Sequence, residues 1–156
     1  MFLLGQDAIS GKEGTAFANI NGQIKEMFYL KKLKATADKK KAEMKVVGTR
    51  VVQHKAKELV YTGNMTIYDV SPDYIDMISQ YEKTGVDTYF TIQIVNDDPT
   101  STVGVKRTVL YNCNVDKLPI AQLDADADFL EQEVDFTFTS FEPLDEQVAP
   151  AVLGGN

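Results

Sequence analysis

Residues 123–141 read LDADADFLEQEVDFTFTSF, and no other stretch constrains the fold as strongly. An acidic cluster leads through one apolar turn into a segment where Val134, Phe136 and Phe138 alternate with Asp135, Thr137, Thr139 and Phe141. An apolar–polar period of two belongs to a strand whose sheet is packed on one side and wet on the other. Such a strand needs paired neighbours, so the chain is expected to be mainly β.

The remaining segments supply those neighbours. Asn21-Gly22 sits between TAFANI and QIKEMF, a hairpin signal because both turn residues accept positive φ. Residues 29–38 and 43–55 read as a second pair of strands joined by a charged tip, Lys39-Lys40-Lys41. Lysine and alanine in 29–44 would also suit a helix, but the flanking β-branched runs favour strands. Residues 60–70 form a strand with Tyr61, Met65 and Ile67 on one face. Residues 71–84 form the one helix: Ser71 caps it, Pro72 takes the first helical position and Asp73 lies near the positive end of the dipole. Tyr74, Ile75, Ile78 and Tyr81 make its buried stripe, and Gly85 ends it. Residues 87–97 give a strand with Phe90, Ile92 and Ile94 on one face, then a loop over 97–101, then a strand over 105–115 with Val105, Val109, Tyr111, Cys113 and Val115. The architecture is a β-barrel or sandwich with one flanking α-helix at about 71–84. It forms a single domain over 1–156, and the Pro- and Gly-containing tail 143–156 is a flexible arm.

At 156 residues the chain can bury a real core. Cys113 is its one cysteine, so no internal disulfide forms, as suits a reducing compartment. The opening MFLLGQD has only four apolar residues before a glycine, too few for a signal peptide or a membrane span. A formal charge of −7 argues against a free nucleic-acid binder. That charge is unevenly laid out. From Lys25 to Lys57 there are 11 of the 16 basic residues, whereas from Asn112 onward ten acids face Lys117 alone. Two blocks of opposite sign neutralise each other within a fold or between copies, and point to self-association rather than to chemistry.

Candidate chemical motifs fall short. Asp124, Asp126 and Asp128 mimic the start of a calcium loop, but Phe129 stands where a glycine is needed and Asp135, in a strand, where a bidentate glutamate is needed. The plain alternative is an acidic edge with a short helical turn at Phe129-Leu130. Residues 10–14, SGKEG, lack the first glycine of a phosphate loop and put Glu13 after the lysine. The single histidine, His54, could meet Cys113, but one His and one Cys do not make a metal site, and a strand cysteine is more often inert packing. Asn64-Met65-Thr66 matches a glycosylation sequon inside a strand. The basic block has only Phe28 and Tyr29 beside it for base stacking. No catalytic constellation, metal or cofactor is expected.

Six segments in order resemble the tail tube proteins of contractile-tailed phages, in particular those of prophage-like elements in Gram-positive bacteria. They are AISGKEGTAF, GTRVVQHK, TGNMTIYDVSP, YFTIQIVNDD, VLYNCNVDK and LDADADFLEQEVDFTFTSFE. The resemblance implies a barrel or sandwich like the tube protein of type VI secretion systems. It implies hexameric rings formed by edge-to-edge strand pairing and stacked into a hollow tube. DNA passes through without specific binding, and the sheath grips the outside. Tape-measure, baseplate and tail terminator proteins are further implied partners, and the place is the virion tail, assembled in the host cytoplasm, or a bacteriocin-like particle. The N-terminal segment 1–14 and the long hairpins would contact the next ring. The candidate inter-subunit residues are Lys31, Lys32, Lys34, Lys39, Lys40 and Lys41 on one side, and Asp124, Asp126, Asp128, Glu131 and Glu133 on the other. A small-ligand barrel, whose inward side chains leave a cavity, stays open as the alternative.

Overall fold

The computed structural model describes residues 4–7, 11–12, 14–101 and 104–144. The expected arms therefore lie largely outside the described residues: 1–3, 8–10 and 13 at one end, 145–156 at the other. Of the SGKEG segment, Ser10 and Glu13 also lie outside them. After a 3-10 turn, Gly5–Asp7, the chain forms β1 (Gly14–Ile20), β2 (Gln23–Glu26), β3 (Leu30–Met44), β4 (Gln53–Tyr68), α1 (Asp73–Thr84), β5 (Phe90–Asn96), β6 (Lys106–Lys117), β7 (Glu131–Thr137) and β8 (Ser140–Pro143).

All the strand pairs are antiparallel, in the order β2-β1-β5-β6-β7-β4-β3, with β8 also on β6. Asn21 and Gly22 both take positive φ, 52° and 82°, the backbone of a type I′ turn that matches the twist of β1 and β2. The sheet rolls around one core. Ala16 and Ala18 of β1, Met65 and Ile67 of β4, Phe90 and Ile92 of β5, Leu110 and Cys113 of β6, and Val134 and Phe136 of β7 all belong to it. Among the described residues the fold is mainly β with one α-helix, as the alternating segments and the Pro72–Gly85 signals predict.

The helix seals this core through Tyr74. Its buried ring meets Phe90 edge-on at 5.8 Å and Tyr29 at 6.5 Å, and its hydroxyl lies 3.2 Å from that of Tyr29. Met77 is buried beside it, whereas Tyr81 is exposed. The buried stripe is therefore Tyr74, Met77 and Ile78 rather than one running on to Tyr81, because the helix is laid against the sheet by its first two turns. Pro72, not Ser71, occupies the N-cap, and no side chain caps it. Ser71 Oγ sits only at the long limit of 3.5 Å from the Asp73 amide. Gly85 ends the helix in the left-handed region, donating to the Tyr81 carbonyl at 2.9 Å.

Four further expectations change. Lys39-Lys40-Lys41 do not form the tip of the second hairpin. They lie within β3, whose pairing with β4 runs on to Met44↔Gln53, so the turn is 45–52. The strands expected at 43–55 and 60–70 are replaced by the single 16-residue β4. The segment 131–143 is a broken strand: β7 stops at Thr137, and β8 resumes at Ser140 alongside β6. Phe141 therefore stands beside Tyr61, edge-on at 5.6 Å, and does not continue the polar face of Asp135 and Thr137. Residues 128–129 are bends rather than a helical turn.

In β6, Asn112 takes φ 55°, and the register slips between Phe90↔Cys113 and Ile92↔Leu110. The bulge brings Leu110 and Cys113, three residues apart, to the same core. This replaces the uninterrupted 109-111-113 alternation expected from sequence.

Candidate assembly surface

The charged candidates divide into two groups: those used up inside the subunit and those presented to solvent. On the outer face of β3, β4 and β7, cross-strand rows run Lys32–Thr66–Glu133 and Lys34–Asn64–Asp135. Asn64 Nδ2 donates to Glu133 Oε1 at 3.1 Å and to Asp135 Oδ1 at 2.6 Å, holding two carboxylates apart. Lys34 borders an outer cleft of about 320 Å³ that it shares with Asn64, Asp116 and Asp135. Lys31 Nζ donates to Glu131 Oε1 at 2.8 Å, which holds the Lys31 ammonium above its ordinary pKa. Lys31, Lys32, Lys34, Glu131 and Glu133 thus lie on their own sheet. For Lys31, Glu131 and Glu133 the partner is in the same chain.

The second group is spread along a projecting arm. Residues 38–44 and 53–60, all exposed, continue the β3–β4 hairpin beyond its packed base at Leu33 and Tyr61, a length of roughly 25 Å at the rise of a strand. Along β3 Lys39 and Lys41 share one face and Lys40 points to the other, because the register slip between Lys40↔Glu58 and Lys41↔Ala56 is taken up by the extra residue Lys57 on β4. There it pairs with Asp38 at 2.7 Å and stands across from Glu58. The hydrogen bond and charge of Asp38 raise the Lys40 pKa. The three lysines are therefore not one patch: Lys39 and Lys41 present charge together, and Lys40 is answered within the arm. Arm residues Met44, Val46, Val47, Val51 and Val52 leave an apolar tip, Val47 being fully exposed at 101%. Lys45 and Arg50 flank it.

The third element is the 118–130 connection between β6 and β7. Asp124, Asp126 and Asp128 are exposed on it, and the Asp126 amide donates to Asp124 Oδ1 at 3.0 Å, an Asx turn that shapes the acidic edge. Phe129, 74% exposed, meets Tyr68 edge-on at 6.2 Å. With Val70 and Leu130 these rings line an open groove of about 600 Å³, bordered by Asp69 and Asp128. The groove floor is held by the Asp69 amide donating to the Leu130 carbonyl at 3.0 Å and by Gln132 Nε2 donating to Asp69 Oδ1 at 2.7 Å. Sequence reasoning found the acids of this loop but missed the groove, because Tyr68 and Phe129 are 61 positions apart. The exposed apolar triplet Leu123, Phe129 and Ile120 within an acidic loop was the available signal.

His54 and Cys113 do not come together. His54 is on the exposed arm opposite Glu43, whereas Cys113 is in the core with its thiol pushed up to about 12 by burial. Asp135 is in β7, committed to Asn64. The core is occupied by large buried side chains, among them Tyr74, Phe136, Met65, Ile67 and Ile92, and a cleft of about 660 Å³ opens beside it, lined by residues of β1, β3 and β5 that include Ala16, Leu33 and Ile94.

A family model described as phage tail tube protein matches residues 1–145. The phage-like element PBSX protein XkdM of Bacillus subtilis (strain 168) is 41% identical over 142 residues, 91% of this chain and 94% of that protein. In fold, a chain of the anti-feeding prophage baseplate superposes with a TM-score of 0.66 at 12% identity, covering 88% of this chain and 95% of that one. A chain of the sheath–tube complex of an extracellular contractile injection system in its extended state gives 0.64 at 12% identity, with coverage of 90% and 93%. With its sequence matched almost end to end and its fold shared with chains of contractile injection particles, this chain belongs to the phage tail tube protein family.

Proposed function

We propose that the protein is the structural subunit of the inner tube of a contractile tail. Six copies close a ring by pairing strand edges, and the rings stack into a conduit for DNA, or for membrane puncture, inside a sheath. The observation that carries this reading is the arm. A two-stranded ribbon exposed on both faces is marginal in water by itself, so a 15-residue strand paired far beyond the core calls for a neighbour to cover it. Among the described residues the outer strand β3 pairs only with β4, and lysines on its other edge keep it from indiscriminate pairing. Contacts of this kind are heterologous, one patch meeting a different patch on the next copy, which suits a ring or a helical stack. Family membership and the shared fold support the same reading.

The role requires no catalysis, cofactor or metal. Its partners are further copies of the chain, the sheath, the tape-measure, baseplate and tail terminator proteins, with DNA as unrecognised cargo. Its place is the virion tail after assembly in the host cytoplasm. Segments 1–14 and 143–156 are proposed to reach neighbouring subunits. Lys39 and Lys41 are proposed to meet Asp124, Asp126 and Asp128 of another copy. Negative-stain electron microscopy of the purified protein over a concentration series tests the reading. Uniform rings or hollow tubes are expected, and strictly separate subunits at every concentration, with and without added baseplate, would overturn it.

A further inference from the structure

The apolar arm tip and the apolar groove lie at opposite ends of the same strand. Strand β4 begins at Gln53, next to the tip, and ends at Tyr68, which lines the groove. Sixteen residues at about 3.3 Å each span roughly 50 Å, and the β3–β4 pairing keeps the ribbon continuous along that length. The tip of one subunit therefore cannot reach its own groove.

The two surfaces match in kind. The tip carries Met44, Val47 and Val51, exposed at 54%, 101% and 65%, with Lys45 and Arg50 beside them. The groove carries Tyr68, Val70 and Phe129 with Asp69 and Asp128 at its border and Asp124 and Asp126 on the adjoining loop. Exposed apolar side chains grouped within a charged rim have the make-up of an interaction site. A basic-rimmed tip and an acidic-rimmed groove steer toward each other, whereas two tips or two grooves repel.

We infer that the 45–52 tip of each subunit seats in the Tyr68–Val70–Phe129–Leu130 groove of the next copy. This rests on the tube-subunit reading and names the contact within it. The tip supplies aliphatic side chains to the faces of two aromatic rings, and its cations answer the carboxylates around the groove. Since tip and groove are different patches at the two ends of one strand, every copy can give one contact and receive one. That produces directional, head-to-tail growth rather than a closed pair.

Cysteine bridging of the full chain provides the test. Val47→Cys and Asp128→Cys are both at exposed positions, the second at the groove border so that both aromatic rings are kept, and the native Cys113 is buried, so background labelling is low. The double variant, assembled and treated with a short bis-maleimide, is expected to give a covalent ladder. A mixture of the two single variants is expected to stop at dimers, and a Val47→Cys/Ile24→Cys control to give neither. Val47→Asp, which alters only the exposed tip, is expected to raise the concentration needed for assembly at least tenfold. Tubes that form normally without the 47–128 bridge and with Val47→Asp unchanged would overturn this contact while leaving the tube-subunit reading intact. An unsubstituted protein that never assembles would overturn both.

Discussion

The ring of Phe136 lies over the backbone of Gly63, its cross-strand partner on β4, so closely that a Cβ at position 63 would overlap the ring. Phe136 is 1% exposed and sits in the centre of the core. A glycine within a strand weakens it, and here the missing side chain is the space the ring occupies. Gly63→Ala is expected to cost about 1–3 kcal/mol by overpacking, and Phe136→Ala about 3–5 kcal/mol by leaving a cavity. Gly63→Ala with Phe136→Ala should lose less than the two single losses added together. Urea denaturation of all four proteins checks this, and strict additivity would show that the two positions do not share one space.

Asn64 donates to two carboxylates at once, Glu133 and Asp135. Asn64→Asp replaces the shared donor with a third acid on the same sheet face. A loss of about 0.5–1.5 kcal/mol is expected from the lost hydrogen bonds on this solvent-facing sheet surface, read as a lower urea midpoint at unchanged slope. A variant as stable as the parent would mean that the polar face is held by Lys32 and Lys34 instead.

Alkaline stability should report on the buried thiol. Folding raises the Cys113 pKa from an ordinary 9.0 to about 12 through burial. Below pH 9 both folded and unfolded chains keep the proton, and the full stability is present. Between pH 9 and 12 the unfolded chain loses that proton while the folded chain holds it, so stability falls as pH rises. At roughly 1.4 kcal/mol per pKa unit the loss reaches a few kcal/mol. The Tyr74 hydroxyl, also raised by burial, adds to the fall above pH 10. Cys113→Val, of similar size, is expected to flatten the slope between pH 9 and 10.5. An unchanged slope in urea titrations would assign the alkaline loss to the tyrosine alone.

The arm lysines should differ in their effect on assembly. Lys39→Glu with Lys41→Glu is expected to raise the assembling concentration at least tenfold and to make the remaining assembly salt-sensitive. Lys40→Glu should do much less, because Lys40 is already paired with Asp38. Monomer stability should stay within about 0.5 kcal/mol for all three changes, since they are exposed. Light scattering against concentration and salt distinguishes them, and equal effects at 39, 40 and 41 would refute the split of the lysines between two faces.

Much of the fold was legible because local chemistry dictates it. Asn21-Gly22 chose the turn, Gly85 stopped the helix, and the alternation at 90–94 and 134–138 marked core strands before any neighbour was known. The arm was legible only in outline. A ribbon wet on both faces has no apolar register to mark where it turns, so Lys39-Lys40-Lys41 looked like a tip although the pairing runs to Met44. The bulge at Asn112 and the break at 138–139 were hidden for a related reason. Both arise where β6 must meet β5 on one side and β7 then β8 on the other.

By itself the sequence determined the class of fold, the single helix, the opposed charge blocks and the family to which the chain belongs, since each follows from residue order over short distances. Tertiary structure alone decided which charges answer each other and which face solvent. Lys31 and Glu131 are a hundred positions apart yet 2.8 Å apart in space. Tip and groove, by contrast, stand at the two ends of one strand. Side-chain pairing depends on register across strands distant in sequence, and only the folded sheet sets that register.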